Sequence, residues 1–195
     1  MKLYALMILI TIVMLKENKT NEIVLGGGCF WCTEAIFKQL KGVIDVSSGY
    51  AGGDIKNPSY DQVCSGETGH AEVVKLRYDS NQISLEKILE VFFLTHDPTT
   101  INQQGADKGT QYRSVIFYTT PEQKRISQEI ITQLNESKVY QNKIVTKLKP
   151  LSEFYLAEKY HQNYFEQNLY KPYCQFVIQP KMDKFKKVFE GFIKK

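Results

Sequence analysis

The chain has 195 residues, 43% of them hydrophobic, with 11 Phe and 12 Tyr, which is a length for one domain and enough apolar material for a sizeable core. Its formal charge of +4 is modest and dispersed. A nucleic-acid binder would show a basic patch or stripe with a recognised motif, and neither is present. The lysines towards the end (Lys181, Lys184, Lys186, Lys187, Lys194 and Lys195) read as the solvated face of a terminal helix.

The first element, "MKLYALMILITIVML", is a run of mostly apolar residues after one lysine, followed by the polar "KENKTNE". Its length suits the apolar region of an export signal and is short of the roughly 20 residues of a spanning helix. No pair of small residues follows to mark a cleavage site. Residues 1–20 are therefore expected to be a signal- or anchor-like segment, with a membrane tether through residues 3–15. The alternative is an extended start on a cytoplasmic protein. Residues 21–195 are expected to form a single domain.

Within that domain, "EIVLGG" (22–27) reads as a strand ended by glycine, and 30–40 as a helix closed by Gly42. A strand follows at 43–50, then a long loop at 51–69 rich in Gly, Asn, Asp and Ser. The alternation in "HAEVVKLRYD" predicts a half-buried strand at 70–79, with Glu72, Val74 and Leu76 on one face. Ser84 caps a helix over 84–96, with Leu85, Ile88, Leu89, Phe92 and Phe93 on its apolar side. A second long loop (97–112), a strand (113–120) and a helix from Pro121 to about 138 come next. A strand at 143–151 and helices at 156–168 and 182–192 complete the chain. The first six elements match the ferredoxin-like β-α-β-β-α-β arrangement. The fold class is thus α/β, with helices packed on a mostly antiparallel sheet and two long loops as the places for a site.

Four cysteines, at 29, 32, 64 and 174, are too few and too irregular for a disulfide scaffold, and point to redox chemistry or metal binding. Cys29 lies where the first strand turns into the first helix. Free N–H groups and the helix dipole favour an anion there and lower a thiol's pKa. Phe30 and Trp31 stand where a polar cap is usual. They are either core packing or the wall of an apolar pocket beside the sulfur. Glu72 leans towards a buried environment, which raises a carboxyl pKa and suits a general acid, or else it is a strand-end salt-bridge partner. Tyr60, Asp107 and Tyr112 lie in the long loops, where local sequence does not separate site from surface. Cys29, Cys32, Cys64 and His70 have the residue types of a Cys₃His zinc site, at loose spacing.

The motifs "GGGCFWCTEAIF", "GYAGG", "NPSYDQVCSGETGHAEVV", "THDPTTINQQGADKGTQYRSVIF" and "AEKYHQNYFEQN" occur in that order. Together they resemble the peptide methionine sulfoxide reductase A family over roughly residues 22–180. The resemblance implies reduction of the S epimer of methionine sulfoxide, free or in proteins. It implies Cys29 as nucleophile, Phe30 and Trp31 as the pocket for the substrate methyl, and Glu72 as the acid. Tyr60 and Tyr112 would hold the sulfoxide oxygen, with Asp107 as a further carboxylate. The resolving thiol is expected to be Cys174, on a C-terminal segment free to approach. Cys32 is the alternative, and Cys64 is expected to be a buried structural thiol. Thioredoxin or another dithiol would be the external reductant, with no metal or organic cofactor, no nucleic acid, and a monomeric enzyme. Two other readings stand beside this one. They are a thioredoxin-like oxidoreductase using Cys29 and Cys32, and a zinc-stabilised peptide-binding module.

Overall fold

The computed structural model describes residues 20–194, so the expected signal or anchor in residues 1–20 lies outside the described residues apart from Thr20. In chain order the elements are β1 (Thr20–Gly26), α1 (Phe30–Lys38), β2 (Val43–Ala51), α2 (Tyr60–Cys64), β3 (Ala71–Asp79) and α3 (Leu85–Thr95). There follow a short hairpin of β4 (Gln103–Gln104) and β5 (Asp107–Lys108), then β6 (Val115–Tyr118), α4 (Pro121–Glu136), β7 (Lys147–Pro150), β8 (Phe154–Leu156), α5 (Tyr164–Gln167) and α6 (Gln179–Val188). Among these described residues no helix is long and apolar enough to cross a membrane.

The main sheet has the order β7-β6-β1-β3-β2-β8. Its inner four strands, β6-β1-β3-β2, are all antiparallel neighbours, as expected for the ferredoxin-like arrangement. Two edge strands extend it. β7 adds parallel to β6 after the α4 crossover, and β8 adds antiparallel to β2. The sheet is buried on both faces. On one, Val74 and Leu76 of β3 pack with Phe37 of α1, Ile88, Leu89 and Phe92 of α3, and Phe185 of α6. On the other, Val24, Ala71, Val73, Val115 and Phe117 form a smaller cluster with Leu151 and Phe154 against it. Each fully buried Leu, Ile or Phe contributes about 1.5–3 kcal/mol, so the helix-bearing face dominates the core. Glu72 belongs to the β3 face that points at the helices, in register with Tyr50 of β2.

Several elements differ from the sequence expectation. The loop at 51–69 contains α2, started by a capping box in which Ser59 accepts from the Gln62 N–H and Gln62 accepts from the Ser59 N–H. The expected helix at 156–168 is instead β8, a 3₁₀ turn at Lys159–His161 and the four-residue α5. Long-range pairing breaks it. Gln162 bonds both the N–H and the C=O of Ser48, and Asn163 takes a left-handed conformation (φ 57°) while donating to Glu34. The last helix begins earlier than expected, from a π-helical turn at Cys174–Ile178 that runs into α6.

Candidate active site

Three glycines deliver β1 to the start of α1. Gly28 has φ +95°, and a Cβ there would stand 2.5 Å from the Gln104 Cγ, so both the turn and the packing require glycine. Gln104 is in turn fixed by two bonds to the Asp97 backbone. Cys29 is the N-cap of α1, but its side chain caps nothing. The cap is supplied from the neighbouring strand, as the Phe30 N–H donates to Glu72 Oε2 at 3.1 Å. Sheet register therefore places a carboxyl on the helix turn that carries the cysteine.

Glu72 is 2% exposed. Burial pushes its carboxyl up to about 8, against the bond from Phe30, and the nearby Asp107 and Cys32 add to the rise. Glu72 is a carboxylic acid through neutral pH. Burial also pushes the Cys29 thiol well up, helped by Cys32 and Glu72. The hydrogen bond from Cys29 lowers the Cys32 thiol, and Lys181 Nζ, 3.9 Å from Cys32 Sγ, lowers it further. The expectation of a lowered Cys29 pKa is thus not met in the resting site. Glu72 occupies the helix-start N–H that a Cys29 thiolate would have used, and of the two thiols it is Cys32 whose pKa the surroundings lower.

The aromatic pair divides its work. Phe30 is 1% exposed and backs the site against Tyr50 and His161. Trp31 is half-buried, stacks on Tyr164 at 3.6 Å, meets Tyr173 edge-on, and donates Nε1–H to His161 Nδ1 at 3.1 Å. Tyr60 lies against the His161 ring at 4.4 Å. Its backbone N–H donates to Glu158 Oε1 at 2.8 Å, while Tyr50 donates to Glu158 Oε2 at 2.8 Å. Burial raises the pKa of Tyr60 and of Tyr112, with Glu72 adding to each. Both remain neutral hydroxyl donors facing the acid. Arg113 ties the two long loops together by donating to Gly69 O and Thr110 O, which holds Tyr112 beside the strand carrying Glu72.

Cys29, Cys32, Glu72, Asp107, Tyr60, Tyr112 and Trp31 are therefore brought to one place. Cys174 packs nearby but is fully buried in the π-helical turn, rather than on a free segment. Cys64 is half-buried beside the Tyr60 hydroxyl and does not form part of the core, contrary to expectation. His70 spends both ring nitrogens on the backbone of Gly53 and Ile55, so it is not available to the zinc set considered for it. Among the described residues no group of His, Cys, Asp and Glu is arranged to hold a metal.

Sequence reading missed Tyr173, His161, Glu158 and Lys181. Tyr173 donates to Asp107 Oδ2 at 2.6 Å and closes the site over the two thiols. His161 and Glu158 lie in the "AEKYHQN" motif, whose presence was a usable signal. Lys181 carries no local signal.

A neutral carboxylic acid, a thiol at a helix start, two tyrosine hydroxyls and an aromatic wall can bind a small polar oxide and move a proton to its oxygen. Comparison with known proteins agrees with that chemistry. The family described as "Peptide methionine sulfoxide reductase" matches residues 21–192. The chain is 58% identical to the peptide methionine sulfoxide reductase MsrA of Trichodesmium erythraeum over 87% of its own length and 96% of the relative's. It is 53% identical to MsrA of Saccharolobus solfataricus, covering 87% and 95%. Reduced Mxr1 of Saccharomyces cerevisiae superposes with a TM-score of 0.75 at 38% identity, covering 80% of this chain and 90% of that one. Mxr1 in complex with Trx2 gives 0.54 at 26% identity, covering 79% and 91%. With a family match across nearly all the described residues and relatives more than half identical over almost their whole length, the chain belongs to the peptide methionine sulfoxide reductase family, as an MsrA-type oxidoreductase that reduces methionine sulfoxide.

Proposed function

We propose that the chain reduces the S epimer of methionine sulfoxide with Cys29 as nucleophile and Glu72 as general acid. The observation that carries this assignment is the bond from Phe30 to Glu72, which joins a buried acid of pKa about 8 to the helix turn bearing Cys29. The Cys29 thiolate attacks the sulfoxide sulfur while Glu72 protonates its oxygen, and Tyr60 and Tyr112 hydrogen-bond that oxygen. The oxygen passes to Cys29 and two electrons pass to the substrate sulfur. Methionine leaves and Cys29 becomes a sulfenic acid. Trp31, backed by Phe30, receives the methyl group. Asp107 acts through Tyr173, holding its hydroxyl over the site.

A second thiol of the chain, Cys32 or Cys174, then condenses with the sulfenic acid to a disulfide, and a thioredoxin-type dithiol reduces it. Similarity to an Mxr1 solved with Trx2 supports that reductant. The enzyme is proposed to work as a monomer without metal or organic cofactor. The apolar run at residues 3–15 is proposed as an export signal or membrane tether. Reacting the reduced chain with excess substrate and no reductant tests the scheme. One or more methionines per chain, with loss of two thiols that include Cys29, is expected. Methionine formation that persists in Cys29→Ser would refute it.

A further inference from the structure

The second cysteine of the pair has a cation beside it. Lys181, near the start of α6, reaches Cys32 with Nζ 3.9 Å from Sγ. The other groups facing Cys32 work differently. Cys29 donates its thiol hydrogen, Asp107 opposes a charge there, and Glu72 and Cys174 are themselves pushed up by it. Tyr173 donates to Asp107 at 2.6 Å and also lies against Cys32, whose thiol it helps to lower, but it carries no positive charge. Lys181 is therefore the positively charged donor at this sulfur. We propose that Lys181 is a positioning residue for the resolving step, holding Cys32 as the thiolate that attacks the Cys29 sulfenic acid, so that Cys29–Cys32 is the first disulfide formed.

Geometry favours this order. Cys29 and Cys32 stand three residues apart on one helical turn, with the Cys32 N–H bonded to Cys29 O at 3.2 Å. Residues so placed have Cβ atoms roughly 5–6 Å apart and need only a small local adjustment to reach disulfide distance. Cys174 is 0% exposed in the π-helical turn, and burial raises its thiol. In the step, the Cys32 thiolate forms a bond to the Cys29 sulfur as the S–O bond breaks. Hydroxide leaves and takes one proton to become water. The Cys29 sulfur is reduced by the change that oxidises Cys32, and no further oxidant enters. Lys181 also lines the cavity shared with Lys184, Asp97 and Gln104, on the side of α6 that faces the pair.

This inference rests on Cys29 being the nucleophile, and the experiment separates the two. Reduced full-length chain, its Lys181→Met and Lys181→Arg variants and Cys32→Ser are mixed with a blocked methionine sulfoxide and quenched at intervals from pH 6 to 9. Methionine and free thiols are counted, and the disulfide is mapped by mass spectrometry. In Lys181→Met the loss is expected in the second phase. Disulfide formation at pH 7 slows about tenfold, and its pH midpoint rises towards that of an ordinary cysteine near 8.5. Lys181→Arg restores both, and the first disulfide in the parent chain joins Cys29 to Cys32. An unchanged rate and midpoint in Lys181→Met overturns the proposal, as does a Cys29–Cys174 bond that forms at the parental rate in Cys32→Ser. Absence of the methionine phase in the parent chain would instead refute the nucleophile assignment.

Discussion

Replacing Glu72 by Gln separates the catalytic and structural consequences of one buried proton. Glutamine keeps the shape and can still accept from the Phe30 N–H. It supplies no acid, so the reduction step should slow by roughly 10²–10⁴-fold. A pH–rate profile alone would not assign the acid. Thiolate Cys29 with acidic Glu72 holds the same number of protons as the inverse pair, and the two forms share one pH dependence. Stability breaks the tie. Glu72 ionises at about 8 in the fold against an ordinary 4.5. The unfolded chain therefore binds fewer protons than the folded one between these values, and stability falls as pH rises across that window. At pH 7 the gap of about 2.5 units costs the fold ~3 kcal/mol, at ~1.4 kcal/mol per unit. Glu72→Gln removes this cost. Urea unfolding of both proteins under reducing conditions should show the variant's advantage growing by ~1.4 kcal/mol per unit from about pH 5 to about pH 8. A difference that stays flat across that range would refute the buried-acid account.

Tyr60→Phe and Tyr112→Phe should each lower kcat in the reduction step by about 10-fold or more with the fold intact, because each removes a donor to the oxygen. If single and double variants keep parental kcat, the tyrosines do not bind the oxygen. Gly28→Ala should destabilise by roughly 1–3 kcal/mol, since φ is +95° and the new Cβ meets Gln104 at 2.5 Å. A thermal midpoint equal to that of the parent would show that this turn relaxes freely.

The framework of the fold was legible because its signals are local. Alternation revealed β3, apolar spacing at i, i+3 and i+4 revealed α3, and Pro121 marked the start of α4. The segment at 156–168 misled because its Ala157 and His161 have helical spacing while Glu158 and Gln162 are claimed by residues near 50 and 60. The nucleophile, acid and tyrosines were reached through contiguous motifs. The electrostatics of the thiol pair were not, because they depend on separations no local pattern encodes. Glu72 meets Phe30 across 42 residues, Tyr173 meets Asp107 across 66, and Lys181 meets Cys32 across 149. For the same reason the sequence predicted a lowered Cys29 thiol at the helix start, where the assembled sheet had already placed a carboxyl.

The central claim is tested most directly by following each epimer of a blocked methionine sulfoxide by chiral chromatography, with dithiothreitol as reductant, for the parent chain and Cys29→Ser. The account predicts that the S epimer alone is consumed and that the variant consumes neither. Turnover of the R epimer, or S-epimer turnover that survives in Cys29→Ser, would contradict it.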